Sequence, residues 1–342
     1  MTIIFHNIYK ELNYNNLMFN QPNVSIGDNL LAPFIRLKEY AETLNIKVYT
    51  SSAISIKSAD IIVFVDMPEK NDNIFIEAIK LNKSLYLLAM ESPVIRPSSF
   101  NIKNHIPFEK VFTWNDNLIK KDPIKYIKIN YSYDIPKPFN IDIDKKERLC
   151  CMISGNKILN YKNELYSKRL EAIKWFETYH SNDFDLYGVG WDQYESHNRY
   201  IRFFLNKFKS IKSIVPLNHP SYKGKVERKK PILEKYKFSI CYENVKDISG
   251  YITEKIFDCF FAGNIPIYLG ADNISKYIPP NCFIDKRDYD NYEELYQYIT
   301  TISDKEYTNY LNNIEKFIHS DLIYSFTSEF FSKQIIDNLR KL

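Results

Sequence analysis

The residues best suited to chemistry gather in one stretch, Tyr236 to Asp288. Glu243 and Asn244 close a short apolar run, Phe238 to Tyr242, that reads as a buried strand. A polar loop, Val245 to Gly250, then leads into Tyr251-Ile252-Thr253-Glu254-Lys255. Here a helical pattern opens, with Ile256, Phe257, Phe260 and Phe261 on its apolar face and Gly263 as its stop. Thr253 is the expected N-cap and Ser249 the alternative. Ligands of an open α/β sheet bind outside the carboxyl ends of its strands. A helix N-terminus attracts phosphate oxygens through free N–H groups and a partial positive charge. Lys255 in the first turn opposes that dipole, and a bound diphosphate would remove the conflict. Glu254 could accept from both hydroxyls of a ribose. The plainer alternative is that Glu254 and Lys255 are an ordinary solvated pair.

A second carboxylate stands in Met90-Glu91-Ser92-Pro93, directly after the apolar run Ser84 to Met90. An acid at the tip of a parallel strand, fixed by a following proline, is well placed for catalysis. A turn carboxylate in solvent is the alternative reading. Cys150, Cys151, Cys241, Cys259 and Cys282 show neither a C-x-x-C pattern nor Cys/His ligand spacing. They read as buried thiols of a reducing compartment.

The elements that must carry these groups alternate. Thr2 to Asn7, Lys47 to Thr50, Ile61 to Asp66 and Ser84 to Met90 read as strands. Between them, Asp28 or Asn29 caps a helix through Leu30, Leu31, Phe34, Ile35, Leu37 and Leu44, and Asp72 opens another that runs to Leu81. Asn13 to Asn29 reads as a polar loop long enough to be a substrate element. The alternation implies parallel βαβ units. Pro136 to Lys146 is the best linker. Beyond it, Cys150 to Ser154 restarts a strand, Tyr166 to Phe176 is a helix, and Ile265 to Leu269 is a strand. Tyr292 to Ile302, Asp304 to Ser320 and Thr327 to Leu342 are amphipathic helices. At 342 residues, two domains are expected. They are residues 1–138 and 147–325 joined by a linker at 139–146, with the helix of 326–342 packing back on the first domain.

Hydrophobic residues make up 45% and charged residues 26%, which argues for a globular chain and against disorder. The net charge of +4 is too weak to imply nucleic acid. The abundance of Tyr and Phe could suit sugar faces, but Ile, Lys and Asn are abundant too, and an AT-rich genome explains all five together. No apolar run is long enough to span a bilayer, about 18–20 residues. The N-terminus lacks the basic and apolar regions of a signal peptide. A cytoplasmic protein is expected, with peripheral contact at the inner face of the membrane through basic residues. The run from Lys207 to Lys230, which includes Lys223, Lys225, Arg228, Lys229 and Lys230, reads by default as a solvated face; contact with anionic lipid or with the donor is the minority reading.

The stretch from Tyr236 to Asp288 resembles the donor-binding motif of the α-1,3/4-fucosyltransferases, glycosyltransferase family 10. The residues that carry the likeness are Tyr236-Lys237-Phe238, Glu243-Asn244, Tyr251-Ile252-Thr253-Glu254-Lys255, Ala262-Gly263, Pro266, Gly270 and Phe283-Ile284. A contiguous match of this length is far more specific than a lone glycine-rich loop. The resemblance implies a GT-B fold, two Rossmann-like α/β domains facing each other across a cleft, in a soluble bacterial form. It makes Glu91 of the Glu91-Ser92-Pro93 element the general base. It makes Arg169 the diphosphate arginine, with Lys168 as the register alternative, and an arginine fork suits phosphate. Trp114 and Asp116 become acceptor or donor contacts. Asp185 to Gly188 matches a family strand end, whereas Val189 to Ser221 departs from the pattern; a further phosphate-binding arginine there would be Arg199 or Arg202.

The implied reaction moves L-fucose from GDP-fucose to O3 of GlcNAc in an N-acetyllactosamine- or Lewis-type glycan on lipopolysaccharide. The step is a single inverting displacement with Glu91 as base. Lys255 and Arg169 would neutralise the departing GDP, Asn244 and Tyr251 would position diphosphate and sugar, and Glu254 would hold the ribose. Glu243 is either structural or donor-facing. The pairs Asp142/Asp144, Asp183/Asp185 and Asp288/Asp290 could hold a divalent metal, but the cations already present make one chemically unnecessary, so no metal or other cofactor is expected. Transfer of a different GDP-linked deoxysugar, or a glycan-binding module without turnover, are the alternatives.

Overall fold

Runs such as Ile61 to Val65 are apolar at every position because a parallel strand is covered on both faces. The computed structural model describes residues 1–21, 29–137, 141–194, 196, 198–207 and 219–340. Two compact units divide the chain: Met1–Ile135 with Ile248–Ile252 and Ser320–Leu342, and Pro136–Asp247 with Thr253–His319.

The first unit holds β1 (Thr2–Asn7), β2 (Lys47–Thr50), β3 (Ile61–Val65), β4 (Ser84–Ala89), β5 (Lys110–Thr113) and β6 (Tyr126–Lys128), with helices α1 (Ala32–Thr43), α2 (Asn73–Lys80) and α3 (Asp116–Lys121). All neighbours pair in parallel, in the order β2-β1-β3-β4-β5-β6. Successive side chains of a strand face opposite ways. Ile3, Phe5, Val63 and Leu88 therefore join one core, and Ile4, Ile62, Phe64 and Leu87 join the other.

The second unit holds β7 (Arg148–Ile153), β8 (Phe184–Tyr187), β9 (Tyr236–Tyr242), β10 (Ile265–Leu269) and β11 (Ile284–Asp285). Its helices include α4 (Tyr166–Tyr179), α5 (Arg199–Lys207), α6 (Glu254–Phe261), α7 (Tyr292–Thr301) and α8 (Asp304–Ile318). The strand order β11-β10-β9-β7-β8, read backwards, is the same winding as in the first unit. Each sheet thus has a topological switch point beside its first strand, at β1/β3 and at β7/β9, and such points are where open α/β sheets bind ligands. Together the sheets make a GT-B-type fold. A last helix, α9 (Ser328–Leu339), belongs to the first unit. Phe331, Ile335, Ile336 and Leu339 enter its core, and Phe331 meets Phe34 of α1 edge-on at 5.4 Å.

Three expectations need correction. The stretch from Asn13 is not a plain polar loop. Lys10–Asn16 and Leu17–Asn20 form short helical turns, and Met18 and Phe19 are buried because the apolar pair can turn onto Phe5. Asn29 does not cap α1: it adopts a left-handed φ of 54°, and Leu31 occupies the cap position. Asp28, the alternative cap, lies outside the described residues, as do parts of the expected linker and of the Val189 to Ser221 segment. Lys229, read as part of a solvated basic face, instead lies against Asp258 at 2.7 Å. The five cysteines are buried and unpaired. Among the described residues, no helix is long and apolar enough to cross a membrane.

Candidate functional site

In the first unit the chain leaves β3 at Asp66, which is 2% exposed and held at a φ of 63°. Its N–H donates to the Leu88 carbonyl of β4 at 2.9 Å, which turns the carboxylate toward the end of that neighbouring strand. There it accepts from Met90 N–H at 3.1 Å, from Glu91 N–H at 3.1 and 3.2 Å, and from the Ser99 hydroxyl at 3.1 Å. These donors are neutral. Burial pushes the Asp66 pKa up to about 7, and the nearby Glu91 charge pushes it the same way, against the effect of those hydrogen bonds. Glu91 is half-buried, and its Oε1 accepts from the Tyr9 hydroxyl at 2.7 Å. Burial and the Glu91 charge both push the Tyr9 pKa up, so the phenol stays a donor.

The Met90 carbonyl accepts from Trp114 Nε1 at 2.8 Å and from the Tyr131 hydroxyl. The backbone that presents Glu91 is therefore held on its N–H side by Asp66 and on its carbonyl side by two aromatic donors. Trp114 is fully buried, and Tyr251 covers it with ring centroids 4.7 Å apart. Gly250 makes that approach possible: at a φ of 85°, a Cβ there would sit 2.2 Å from the Trp114 carbonyl oxygen. Asp116 pairs with Lys128 at 2.7 Å. Trp114 and Tyr251, both named from sequence as ligand contacts, thus lie inside the first unit's core, where they steady the Glu91 turn.

In the second unit the residue that follows β9 is Glu243, which is 0% exposed. Its N–H donates to the Leu269 carbonyl of β10 at 2.9 Å. The carboxylate accepts from Thr253 N–H at 2.8 Å, from the Thr253 hydroxyl at 2.7 Å and from Lys255 Nζ at 3.0 Å. Lys255 Nζ also reaches the Thr253 hydroxyl at 2.8 Å and Glu254 Oε1 at 3.4 Å. Gly270 leaves room for this packing, since a Cβ there would lie 2.6 Å from Glu243 Cγ and 2.4 Å from the Tyr268 hydroxyl. Thr253 does occupy the N-cap of α6, but its hydroxyl serves Glu243 and Lys255, and it makes no cap bond to the helix N–H groups.

Burial alone would lower the Lys255 pKa, but the charges of Glu243 and Glu254 outweigh it and raise it. Glu254 lies between Lys255 at 3.4 Å and Lys229 at 3.9 Å. Burial would raise its pKa, yet these two cations hold it down to about 2. Arg169, on α4, is buried, and its Nη2 donates to the carbonyls of Tyr242 and Glu243 at 2.7 Å and to Asn244 Oδ1 at 3.0 Å. It clasps the end of β9 and lies close enough to oppose the Lys255 charge. Lys168, one position earlier, faces away and pairs with Glu171. Arg199 and Arg202 are exposed on α5.

The second unit therefore brings together Arg169, Glu243, Asn244, Glu254 and Lys255, and it adds Lys229 and Asp258. The first unit adds Asp66 and Tyr9 to Glu91. None of these four additions carries a local signal: an acid ending a strand and a lysine in a basic run are common, and only tertiary register gives them partners. Of the Asp-x-Asp pairs, Asp185 is occupied by Arg148 at 2.8 Å, Lys223 at 3.3 Å and the Tyr236 hydroxyl, and Asp183 by the Tyr296 hydroxyl. Asp142 caps a turn through Asp144 N–H. Among the described residues, no group of three or more His, Cys, Asp or Glu side chains could hold a metal ion.

The model of glycosyltransferase family 10 (fucosyltransferase), C-terminal part, matches residues 143–334, more than half of the chain. The α-(1,3)-fucosyltransferase FucT of Helicobacter pylori is 34% identical over 122 residues, covering 33% of this chain and 25% of that protein. Human 4-galactosyl-N-acetylglucosaminide 3-α-L-fucosyltransferase 9 is 24% identical over 230 residues, covering 65% of this chain and 51% of that one. The chain thus spans between a quarter and about half the length of these relatives. A crystal structure of an α1,3-fucosyltransferase superposes with a TM-score of 0.58 at 13% identity, over 100% of this chain and 90% of that one, which is a likeness of fold. The chain belongs to glycosyltransferase family 10, the fucosyltransferase family.

Proposed function

We propose that the protein transfers L-fucose from GDP-fucose to a saccharide hydroxyl, O3 of GlcNAc in an N-acetyllactosamine-type acceptor, by one inverting displacement. The observation that carries this reading is the cluster at the start of α6. Lys255 stands in the first turn, and Thr253 turns its hydroxyl away from the helix N–H groups. An N-terminus left in this state, next to a lysine, is suited to a diphosphate.

In this reading Lys255, the α6 N-terminus and Arg169 stabilise the departing GDP electrostatically, so neither a general acid nor a divalent metal is needed. Arg169 acts through the β9 tip that it clasps as well as by charge. With its amide oxygen held by Arg169, Asn244 offers its amide nitrogen to phosphate. Glu254, kept ionised between two lysines, accepts from the ribose hydroxyls. Glu91 takes the proton from the acceptor hydroxyl as that oxygen attacks the anomeric carbon. Asp66, Tyr9 and Trp114 are positioning residues for Glu91, and Tyr251 supports the same turn by packing. The residues around Glu91 serve the acceptor and the second unit serves the donor.

The test is release of GDP from a panel of nucleotide sugars with N-acetyllactosamine present or absent. Acceptor-dependent release from GDP-fucose is expected, unaffected by a metal chelator. Glu91→Gln should lower kcat by roughly 10²–10⁴-fold while GDP affinity is kept. Release from another GDP-sugar alone would move the substrate assignment. GDP binding unaffected by Lys255→Ala would overturn the donor site.

A further inference from the structure

Lys229 and Asp258 stand at the edge of the donor cluster. Asp258 follows Glu254 by one turn of α6, so the two carboxylates share a face of the helix. Like charges at that spacing repel. Lys229 meets both from a separate segment. A single helical turn, Lys230–Leu233, follows it, and the N–H groups of Ile232 and Leu233 donate to the Lys229 carbonyl at 3.1 and 3.0 Å. Leu233 is buried in a core cluster with Tyr236 and Ala262, which fixes the Lys229 backbone. Lys229 Nζ donates to Asp258 Oδ2 at 2.7 Å but lies 3.9 Å from Glu254 Oε1. It therefore bonds Asp258 and acts on Glu254 at longer range.

Glu254 thus has two cations with different commitments. Lys255, at 3.4 Å, already bonds Glu243 and the Thr253 hydroxyl, and it is the cation that a diphosphate would draw on. Lys229 is anchored on Asp258 and stays when phosphate arrives. Burial would raise the Glu254 pKa, and Lys255 and then Lys229 hold it down. Once Lys255 serves phosphate, Lys229 is left as the compensating charge. Its distance matters as much as its sign. A lysine in direct contact would occupy the carboxylate oxygens that two vicinal hydroxyls need, and the bond to Asp258 holds Nζ back from them.

We propose that Lys229 and Asp258 are positioning residues that make the donor site selective for a ribonucleotide: Asp258 holds Lys229 where it compensates Glu254 without covering its oxygens, and Glu254 then reads the two ribose hydroxyls. The inference rests on the placing of the ribose at Glu254 in the proposed function.

The experiment is calorimetric titration of the full chain with GDP and with 2′,3′-dideoxy-GDP, which keeps the base and the diphosphate but has neither hydroxyl. The parent should prefer GDP by about tenfold or more, and Glu254→Gln should erase most of that preference. Lys229→Met and Asp258→Asn should each lower GDP affinity by about threefold or more while dideoxy-GDP affinity stays within about twofold of the parent value. Lys229→Arg, which preserves the charge and the pairing with Asp258, should keep most of the preference. Because Lys229→Met takes a cation from Asp258, the double variant Lys229→Met with Asp258→Asn is measured too and should show the same selective loss. Retained dideoxy-GDP affinity reports that the site has kept its fold. If Glu254→Gln weakens both nucleotides alike or neither, the ribose is not at Glu254, and the proposal falls together with that part of the donor site. If Glu254→Gln erases the preference but the Lys229 and Asp258 variants leave it intact, or weaken both nucleotides alike, the ribose contact stands and the role given to Lys229 and Asp258 is overturned.

Discussion

Asp66 and Glu243 occupy the same place in two copies of one winding. Each is the first residue after the strand on the far side of the switch point, and each donates its N–H to a carbonyl near the end of the next strand, that of Leu88 or Leu269, at 2.9 Å. Both carboxylates are buried, at 2% and 0% exposure. They differ in what neutralises them. Asp66 has backbone N–H groups and a hydroxyl, so its charge is uncompensated and its pKa rises to about 7. Glu243 has Lys255 at 3.0 Å. One topological position thus serves two electrostatic ends. In the first unit it organises a turn that presents another carboxylate, Glu91. In the second it fixes a cation at the mouth of a helix. A base needs a rigid support that does not neutralise it, and an anion site needs a cation held ready, so the difference follows the two chemistries proposed.

The strongest way to break the comparison is to remove the ion-pair partner. Glu243→Ala should destabilise the protein by about 3–5 kcal/mol, because it strands the half-buried Lys255 charge. The same change should free Thr253 to cap α6 and weaken GDP binding. Urea unfolding of Glu243→Ala and of Glu243→Ala with Lys255→Met measures this. If the single substitution costs no more than the double one, Glu243 is not the counter-charge of Lys255.

Asp66→Asn sharpens the comparison through pH. The unfolded pKa of an aspartate is about 4, whereas the native value is about 7. Between those values the native state keeps a proton that the unfolded state has released. The contribution of this group to stability is therefore full below about pH 4 and is lost as pH rises toward 7. Asparagine keeps an oxygen for the Met90 and Glu91 N–H groups and carries no charge. The variant should match the parent near pH 4 and exceed it by on the order of 3–4 kcal/mol at pH 8. A stability difference that does not change between the two pH values would remove the uncompensated carboxylate from the account.

How much of this could be read in the sequence depended on distance along the chain. The Glu243 to Lys255 cluster is a strand, a loop and a helix in succession, so residue types and spacing exposed it. The Asp66 role depends on Glu91, a bond between residues 25 positions apart. It arises only when β3 and β4 pair in register, with Val65 beside Leu88. A strand-ending aspartate before Met67 and Pro68 reads equally well as a turn residue. Lys229 was hidden in a run of cations, and its partner Asp258 lies in α6, a separate segment. Trp114 is the opposite case. An aromatic ring with one N–H donor suits a sugar or a buried carbonyl equally, and the fold gave it the carbonyl of Met90.

That carbonyl gives the smallest and most selective prediction. Both strand tips have a clasp: Arg169 on the carbonyls of Tyr242 and Glu243, and Trp114 with Tyr131 on the carbonyl of Met90. The first is a charged fork whose nitrogen serves three acceptors, so its loss would disturb the whole donor cluster. The second is two neutral donors on one oxygen, and Tyr131 remains when Trp114 is changed. Trp114→Phe keeps a ring against Tyr251 and removes one N–H, a loss of about 1 kcal/mol of stability. GDP affinity should stay unchanged, because the substitution does not touch the second unit's cluster. Acceptor-dependent kcat should fall by about tenfold or less, since the Glu91 turn gains freedom on one side only. If GDP affinity fell along with kcat, the two tips would not be independent, and the division of labour between Asp66 and Glu243 would fail with it.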